Sequence, residues 1–482
     1  MDKNTPMILV ILMIASLFAA CDNSSSNSFI PERVAGAPQL VGVDPAANDS
    51  SVVAGKSVTT TYDKAMNTAS AGNFVVHGYQ TGKLAGTYTG GGSTMLMFNP
   101  SNNYKPGEVI EVSLTGSLTS TDGLPFYPTV LRFKVEATAG TGTFNTGQTI
   151  ALQAGFMALA GGDWDGDGDL DLAVANASAN NVRILTNTGG VFNAGLNITG
   201  QSGARALAAA DWDGDGDLDL AVANYSSSTV TILVNDGSGS FTVGFSFTGL
   251  SGPYDVTAGD WNGDGYPDLA VPNFNGDWLS ILQNDGSGRF VAVKLIFDQT
   301  GPYAMVAGDW DKDGNLDLAA ANWIGDWVDI LFNFGAGEFE VVQEISGRLA
   351  TVDLAAGDWN ADGDMDLAFG NVYNHTVDIV TNDGTGVFNV TRTFSGQSGV
   401  QALASGDWDM DSDLDLAVAN SGASNVVILR NDGTGTFSIA ATITGLPGAA
   451  ALATGDWNSD GTIDLAVANS AAGNVVILSN QP

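Results

Sequence analysis

A nine-residue acidic motif recurs seven times along the larger, C-terminal part of the chain. The first copy is Asp163–Asp171, with the sequence DWDGDGDLD. Successive copies start 48 residues apart once and 49 residues apart thereafter, at Asp211, Asp260, Asp309, Asp358, Asp407 and Asp456. Repeats of this length are typical of solenoids and propellers, in which each unit buries its apolar face against the next. The period therefore predicts a repeat array of seven similar units.

Each motif places oxygen-bearing side chains at alternate positions of a tight loop, which suits a hard cation such as Ca²⁺. Positions one, three and five offer carboxylates, position seven offers its backbone carbonyl, and the aspartate at position nine completes the shell. Glycine at position six permits the sharp reversal of the chain. We therefore expect up to seven structural Ca²⁺ ions. Their predicted ligands are Asp163, Asp165, Asp167, Asp169 and Asp171; Asp211, Asp213, Asp215, Asp217 and Asp219; Asp260, Asn262, Asp264, Tyr266 and Asp268; Asp309, Asp311, Asp313, Asn315 and Asp317; Asp358, Asn360, Asp362, Asp364 and Asp366; Asp407, Asp409, Asp411, Asp413 and Asp415; and Asp456, Asn458, Asp460, Thr462 and Asp464.

The copies depart from one another in a few places. Three of them carry asparagine at position three, and the sixth carries Ser412 at the glycine position, so its site is the weakest match. An EF-hand is excluded, because it needs a glutamate at the twelfth loop position, where the first copy has Val174 in a strand-like apolar run. The alternative is an Asp/Gly-rich solvated turn, but seven copies in register favour a metal.

The acidic loops account for most of the formal net charge of −37, because they contain 29 of the 53 acidic residues. Seven bound Ca²⁺ ions would bring the net charge to −23. The charge that remains argues against nucleic acid as a partner, since nucleic-acid binding requires a basic surface.

The N-terminus has the pattern of a bacterial export signal. Lys3 precedes an apolar run from Met7 to Phe18, which is too short to span a bilayer as a stable helix. Leu17–Cys21 then resembles the lipoprotein box, which is cleaved before a lipidated cysteine. We expect a signal peptide in residues 1–20, with lipidated Cys21 and a flexible tether in residues 21–37. This predicts a lipid-anchored protein of the bacterial cell envelope, in the periplasm or at the outer membrane and cell surface, that meets the membrane only through its lipid. The alternative is an ordinary secretory signal with a chance cysteine.

Residues 38–137 carry short alternating strands that predict a small β-sandwich. This segment resembles the SbsA-type bacterial Ig-like domain at Val43–Ala46, Tyr62–Met66, Phe98–Pro100, Tyr104–Gly107 and Leu131–Val135. The resemblance implies a spacer. A Gly/Thr-rich linker follows in residues 138–143.

Each repeat in residues 144–482 contains four strand-like segments, which predicts one four-stranded propeller blade per repeat. The last repeat lacks its fourth strand, and a matching segment, residues 142–150, precedes the first repeat. We therefore expect an all-β chain whose seven-bladed propeller is closed by an N-terminal strand. The D-x-[DN]-x-D-[GS]-x-x-D-[LI] loops and their period resemble the FG-GAP/VCBS repeat. That resemblance implies calcium in the loops on one face and a ligand bound elsewhere. The motif tryptophan occurs in every copy, so we interpret it as packing between blades.

Three positions become aromatic together in copies two to four, on the face predicted to lie opposite the acidic loops. These positions are the start of the first strand, the end of the second strand and the start of the third. Aromatic rings beside carboxylates are typical of glycan-binding surfaces, although a protein contact patch or packing of the loops would also use them. The predicted ligand-binding residues are Tyr225, Tyr254, Phe274, Asp277, Trp278, Tyr303, Trp323, Asp326 and Trp327.

The sequence favours a binding or adhesion module, expected to be monomeric, that recognises a glycan or an extracellular protein. It carries no nucleophile signature, dinucleotide fingerprint or open-site zinc motif, so we expect no enzymatic activity. His375 is the one candidate acid or base. A polysaccharide lyase or hydrolase, or a purely structural envelope protein, are the alternatives.

Overall fold

The computed structural model describes residues 36–137, 140–409 and 411–481. The predicted signal peptide, Cys21 and almost all of the tether lie outside these residues. Within the described part of the chain, no helix is long and apolar enough to cross a membrane.

The first domain is a sandwich of two four-stranded sheets, with strand orders β1-β2-β6-β5 and β4-β3-β7-β8. A single 3₁₀ helix, Thr68–Asn73, precedes β3. Inward-facing residues of both sheets, among them Val58, Phe74, Phe98 and Ile110, form one core. The strands are β1 (Leu40–Asp44), β2 (Val58–Tyr62), β3 (Phe74–Gly78), β4 (Gly82–Lys83), β5 (Gly86–Thr89), β6 (Met95–Pro100), β7 (Val109–Leu114) and β8 (Thr129–Lys134).

The remaining strands form seven antiparallel sheets, one for each repeat, which we number in chain order. Sheet 7 takes its fourth strand from β9 (Phe144–Ala151). Sheet 1 contains β10 (Phe156–Gly162), β11 (Asp171–Asn176), β12 (Asn181–Thr188) and β13 (Val191–Thr199); sheet 2, β14 (Ala204–Ala210), β15 (Asp219–Asn224), β16 (Thr229–Asn235) and β17 (Phe241–Phe247); sheet 3, β18 (Thr257–Gly259), β19 (Asp268–Asn273), β20 (Trp278–Asn284) and β21 (Phe290–Ile296); sheet 4, β22 (Pro302–Gly308), β23 (Asp317–Asn322), β24 (Trp327–Asn333) and β25 (Phe339–Ser346); sheet 5, β26 (Thr351–Gly357), β27 (Asp366–Asn371), β28 (Thr376–Asn382) and β29 (Phe388–Ser395); sheet 6, β30 (Val400–Gly406), β31 (Asp415–Asn420), β32 (Asn425–Arg430) and β33 (Ser438–Thr444); sheet 7, β34 (Ala449–Gly455), β35 (Asp464–Asn469) and β36 (Asn474–Asn480).

The seven sheets form a ring. Their first strands pack side by side in chain order, and β34 packs against β10 to close the circle. Strand β9 pairs antiparallel with β36, from Asn480↔Phe144 to Asn474↔Ala151, and so completes sheet 7 as a four-stranded sheet. The second strand of every sheet is buried along its whole length, because its small and apolar side chains face a neighbouring sheet on both sides.

The motif tryptophan joins neighbouring sheets at all seven positions. Trp164 is fully buried and meets Phe241 of the following sheet edge to face, with ring centroids 5.9 Å apart. The same pair recurs around the ring, and Trp408 meets Phe144 of β9. The interpretation of this tryptophan as packing between repeats therefore agrees with the structure.

The sandwich domain rests on the face of the ring that carries the acidic loops. Val130 N–H donates to Gly314 O at 2.8 Å, and Lys134 Nζ donates to Ser405 O at 3.3 Å. Lys105 Nζ donates to Gly168 O in the first loop. The interpretation of this domain as a spacer is therefore incomplete, because it is packed onto the repeats.

A cavity of about 480 Å³ lies between the sandwich and the first strands. The ring contributes leucines such as Leu159, Leu354 and Leu403, and the sandwich contributes Arg132 and Lys134. The sandwich therefore covers the axis of the ring on the face of the acidic loops.

Candidate functional site

The acidic loops bring carboxylates together between the first and second strands of each sheet. Oxygens from positions one, three and nine lie within 4.8 Å of one another in the four copies that have aspartate at all three positions. The position-five aspartate is not part of these groups and binds the backbone instead, as Asp167 Oδ1 does when it accepts from Asp169 N–H at 2.9 Å. The four groups are Asp163, Asp165 and Asp171; Asp211, Asp213 and Asp219; Asp309, Asp311 and Asp317; and Asp407, Asp409 and Asp415.

Backbone N–H groups hold the loop carboxylates in place. Asp163 accepts from Gly166 N–H and Gly168 N–H at 2.9 and 3.1 Å. Asp171 accepts from Trp164 N–H at 3.1 Å and from Asn187 N–H at 2.6 Å, so it ties the loop to the third strand. Each carboxylate oxygen that accepts a single N–H keeps a lone pair for another partner.

Burial raises the pKa of the closing aspartates. The pKa of Asp171 rises to about 7, that of Asp219 to about 8 and that of Asp317 to about 9. Burial raises the pKa of Asp309 to about 7 as well, with a further increase from its neighbour Asp313. Carboxylates that are buried this close together need a proton or a cation. The oxygen-only donor set fits a hard divalent cation.

The sixth loop differs from the others in its electrostatic partner. Arg430 Nε lies 2.6 Å from Asp409 Oδ2, at the predicted second ligand position. Ser412 occupies the glycine position with a φ of +75°, a backbone conformation that is unusual for serine. A cation from the chain itself therefore already neutralises part of this loop. Lys312 of the fourth loop pairs with Asp364 of the fifth loop, at a position predicted to contribute only its backbone carbonyl.

The predicted aromatic residues meet on the opposite face, where second strands end and first strands begin. Tyr254 and Tyr303 have ring centroids 4.0 Å apart, and Tyr303 stacks on Trp323 at 6.2 Å. Phe274 contacts all three rings, and Tyr225 contacts Tyr254. We call this group the aromatic cluster: Tyr225, Tyr254, Phe274, Tyr303, Trp323 and Tyr373, which extends from sheet 2 to sheet 5.

Two members of the surrounding site were missed from the sequence. Tyr373 contacts Trp323 at 5.8 Å and is 64 % exposed. Arg205 holds its guanidinium carbon 4.1 Å from the Tyr254 ring centroid and 5.1 Å from that of Tyr225. The variable position that predicted Tyr254 and Tyr303 also contains Arg205, so the signal was present, but only its aromatic members were chosen.

The other two predicted tryptophans lie outside the aromatic cluster. The Trp278 indole N–H donates to Ser280 Oγ at 3.1 Å, and its ring contacts Phe297. The Trp327 indole N–H donates to Asp329 Oδ2, also at 3.1 Å. Both side chains begin a third strand and lean along it, so the third variable position does not join the other two.

Asp277, Asp326 and His375 occupy one repeated turn position. Their φ values are +60°, +62° and +54°. Asp277 Oδ1 accepts from Gly301 N–H at 2.8 Å, Asp326 Oδ1 accepts from Ala350 N–H at 3.1 Å, and His375 Nδ1 accepts from Gly399 N–H at 3.4 Å. These side chains stabilise the turn that precedes the third strand. A structural role at this turn therefore accounts for His375, and it requires no catalytic role.

Two half-buried carboxylates beside the aromatic cluster also escaped the sequence analysis. Asp255 and Asp353 occupy a first-strand position that is alanine in the other five repeats. Asp255 Oδ2 accepts from Met305 N–H at 2.9 Å, and Asp353 Oδ2 accepts from Leu403 N–H at 2.7 Å. Burial raises the pKa of Asp353 to about 7. Each carboxylate therefore bonds the inner strand of the next sheet.

Comparison with known protein families gives two matches. Residues 163–222, 211–271, 267–320, 358–418 and 407–467 match the FG-GAP-like repeat, and together they span more than half of the chain. Residues 34–135 match the bacterial Ig-like domain. The resemblances to the FG-GAP repeat and to the bacterial Ig-like domain are thereby confirmed. None of the curated proteins matches the chain.

One of the similar solved structures shares the fold of this chain with a TM-score above 0.5, at low sequence identity. The BBS1N chain of a complex with ARL6DN is 16 % identical, with a TM-score of 0.53, and the match covers 71 % of this chain and 98 % of that chain. A protein from Lactobacillus plantarum is 14 % identical, with a TM-score of 0.48 and coverage of 78 % and 98 %. An auxiliary nutrient binding protein from Bacteroides ovatus is 10 % identical, with a TM-score of 0.40 and coverage of 90 % and 96 %.

Proposed function

Because the chain belongs to the FG-GAP-like repeat family and carries a bacterial Ig-like domain before its repeats, we propose that it is a calcium-loaded, non-catalytic module that binds a glycan. In this proposal the seven sheets are the blades of one closed propeller. The aromatic cluster carries the proposal, because scaffold residues recur in every repeat, whereas this cluster occupies only sheets 2 to 5.

The position of the aromatic cluster supports a ligand site on the face opposite the acidic loops. The sandwich covers the axis of the ring on the loop face, so a ligand approaching along the axis meets the aromatic face. Tyr225, Tyr254 and Phe274 are each half-buried, so their rings are held by packing while part of each stays accessible. Rigid, partly exposed rings lose little conformational entropy when a ligand binds.

The chemistry of the aromatic cluster suits a sugar ring. Apolar C–H faces of a sugar pack on aromatic rings, while its hydroxyls need polar partners nearby. Tyr225 Oη lies 3.2 Å from Asn275 Oδ1, so hydroxyl and amide groups border the rings. A protein contact patch has the same aromatic content, and the binding screen described below separates the two.

Calcium acts structurally in this proposal. In four of the seven loops, three carboxylates lie within 4.8 Å of one another and are buried or half-buried, and a divalent cation would offset their repulsion. Extracellular calcium modules of modest affinity bind at roughly 10⁻⁴ to 10⁻³ M, so the ions would remain bound in calcium-rich surroundings.

We place the protein outside the cytoplasm, as an exported, lipid-anchored adhesion protein of the bacterial cell envelope that works as a monomer. The bacterial Ig-like domain and the predicted lipoprotein signal support this placement. We propose that the module has no enzymatic activity, and the turn hydrogen bond of His375 gives the candidate acid or base named from the sequence a structural role.

A glycan-array screen of the purified protein in millimolar calcium tests the proposal. Trp323→Ala removes a ring at the centre of the aromatic cluster, and Trp278→Ala is the matched control, because Trp278 is another half-buried tryptophan outside the cluster. We expect binding that Trp323→Ala abolishes and Trp278→Ala retains. No glycan signal, together with saturable binding of a purified envelope protein, would replace the glycan by a protein ligand.

A further inference from the structure

Arg205 is the cationic residue of the aromatic cluster. Its guanidinium lies over the Tyr254 and Tyr225 rings, and Nη1 donates to Tyr254 Oη. The equivalent first-strand position is occupied by Met157, Tyr254, Tyr303, Val352, Gln401 and Ala450 in the other repeats. The repeat therefore does not require arginine at this position.

Arg205 differs in its partners from three other described arginines, each of which pairs with a carboxylate. Arg132 pairs with Glu111 at 2.7 Å, Arg348 with Asp378 at 2.9 Å, and Arg430 with Asp409 at 2.6 Å. Within the described residues, Arg205 has no carboxylate partner. Arg183 is also half-buried without a carboxylate partner, but it donates to Ala194 O, whereas the Arg205 guanidinium lies over aromatic rings at a variable position.

The nearby acids accept hydrogen bonds from the backbone. Asp353 accepts from Leu403 N–H at 2.7 Å and from Leu354 N–H at 2.9 Å, and Asp255 accepts from Met305 N–H and Val256 N–H at 2.9 and 2.8 Å. Each carboxylate thereby links the first-strand segments of two neighbouring sheets. Neither carboxylate pairs with Arg205, so its guanidinium remains available to a carboxylate from outside the cluster.

We propose that the ligand is an acidic glycan whose uronic acid carboxylate binds Arg205 while its sugar rings pack on Tyr254, Tyr303 and Trp323. This inference rests on the proposed function and names the ligand class of the same site. A guanidinium that lies flat on aromatic rings can still direct N–H donors at its edge to a planar carboxylate, and Arg205 Nη1 alone is engaged by Tyr254. A neutral glycan would offer no counter-ion to the Arg205 guanidinium, so the site would discriminate against neutral glycans.

The test uses calorimetric titration of the purified protein in excess calcium. The probes are hexasaccharides of hyaluronan, alginate and polygalacturonate, each paired with its carboxyl-reduced form, which keeps the backbone but loses the charge. The variants are Arg205→Gln, Arg205→Lys and the control Arg289→Gln, which makes the same charge change at an exposed turn before β21. The thermal midpoint of each variant reports whether the fold is intact.

We expect at least one uronate hexasaccharide to bind and its carboxyl-reduced form to bind about ten- to a hundredfold more weakly. Arg205→Gln should lose the same factor for the acidic probe only, and Arg205→Lys should recover part of it, because it keeps the charge but not the planar fork. Arg289→Gln should change nothing.

Two outcomes would overturn the inference. Binding of neutral glycans that Trp323→Ala abolishes and Arg205→Gln leaves unchanged would reject the acidic ligand and keep the glycan proposal. An equal loss of acidic and carboxyl-reduced probes in Arg205→Gln would show that Arg205 only supports the Tyr254 ring. If none of the probes and no array glycan binds, both the inference and the proposed function fail.

Discussion

Single residues distinguish the sixth loop from the other six. Arg430 Nε reaches Asp409 Oδ2, so the carboxylate that would be the second calcium ligand already has a cationic partner. A bound metal ion would have to displace the Arg430 guanidinium from Asp409 or share the Asp409 carboxylate with it. We therefore expect calcium to bind the sixth loop more weakly than the other loops.

Arg430→Gln should raise the calcium affinity of the sixth loop. Its removal frees Asp409 and deletes a positive charge beside the site, which favours a second cation. A calcium titration against a chromophoric chelator should show one additional ion bound in the variant at limiting calcium. Arg392→Gln is the control, since Arg392 donates to Thr436 on the outer strands. Equal stoichiometry in wild type and Arg430→Gln would contradict the prediction.

His375 illustrates how a repeat position explains a residue that looks functional alone. The equivalent residue in the first repeat is Asn180, with the same φ of +54° and a side-chain bond from Gly203 N–H at 2.7 Å. His375→Asn should therefore leave stability and glycan binding unchanged. His375→Val should lower the free energy of unfolding by about 1–3 kcal/mol, because a β-branched residue is strained at positive φ. Urea unfolding measures the stability of both variants. Loss of polysaccharide cleavage in His375→Asn would restore the enzyme interpretation.

Between elements, a repeated asparagine joins each sheet to the one before it. Asn235, the last residue of β16, donates from Nδ2 to Trp164 O at 2.8 Å and to Leu218 O at 3.1 Å. The same bond to the preceding tryptophan carbonyl occurs at Asn187, Asn284, Asn333, Asn382, Asn431 and Asn480. This asparagine recurs in the sequence as regularly as the tryptophan, but spacing alone does not show that its partner lies in another repeat.

Asn235→Ala should destabilise the protein by about 1–3 kcal/mol, because it leaves the buried Trp164 carbonyl without its donor. Urea unfolding in excess calcium measures the change. Asn193→Ala makes the same substitution at an exposed position of β13 and should stay within about 0.5 kcal/mol of wild type. Equal effects in the two variants would contradict the role of Asn235 in joining neighbouring sheets.

The sequence predicted strands and loops well and their lateral contacts poorly. Local pattern and period predict the acidic motif, the four strands of each repeat and the role of β9. They do so because every repeat forms the same strands and loop from the same local sequence pattern. Which variable positions meet depends on the direction of each side chain. Trp278 leans along its own strand toward Ser280, whereas Trp323 turns toward Tyr303. The sequence also did not predict that the sandwich packs on the repeats, because the contacts join residues far apart in the chain, such as Val130 and Gly314.

On the scale of the whole molecule, protons and calcium should compete for the same carboxylates. The pKa of Asp171 is raised to about 7, and those of Asp219 and Asp415 to about 8, above the ordinary value of 3.8. A raised pKa in the folded state adds stability that is complete below about pH 4 and is lost as the pH rises through about 7 to 8.

Metal-stripped protein should therefore show a thermal midpoint that falls as the pH rises from about 5 to about 8. Saturating calcium should remove most of this fall, because the ion replaces the protons that leave. Circular dichroism melts at several pH values, with and without millimolar calcium, measure the effect. A midpoint that calcium leaves unchanged at pH 8 would rule out the structural metal.

The pairing of β9 with β36 sets the order in which the molecule can be completed. Residues of β9 leave the ribosome early, yet their partners at Asn474–Asn480 are synthesised only after all seven acidic loops. The ring can therefore close only after Asn480 has been synthesised. A polypeptide that crosses a membrane unfolded before it closes loses nothing by this delay, whereas premature termination would leave both an unpaired β9 and an open sheet edge. Such an edge is a ready template for aggregation and a clear signal for proteolytic quality control.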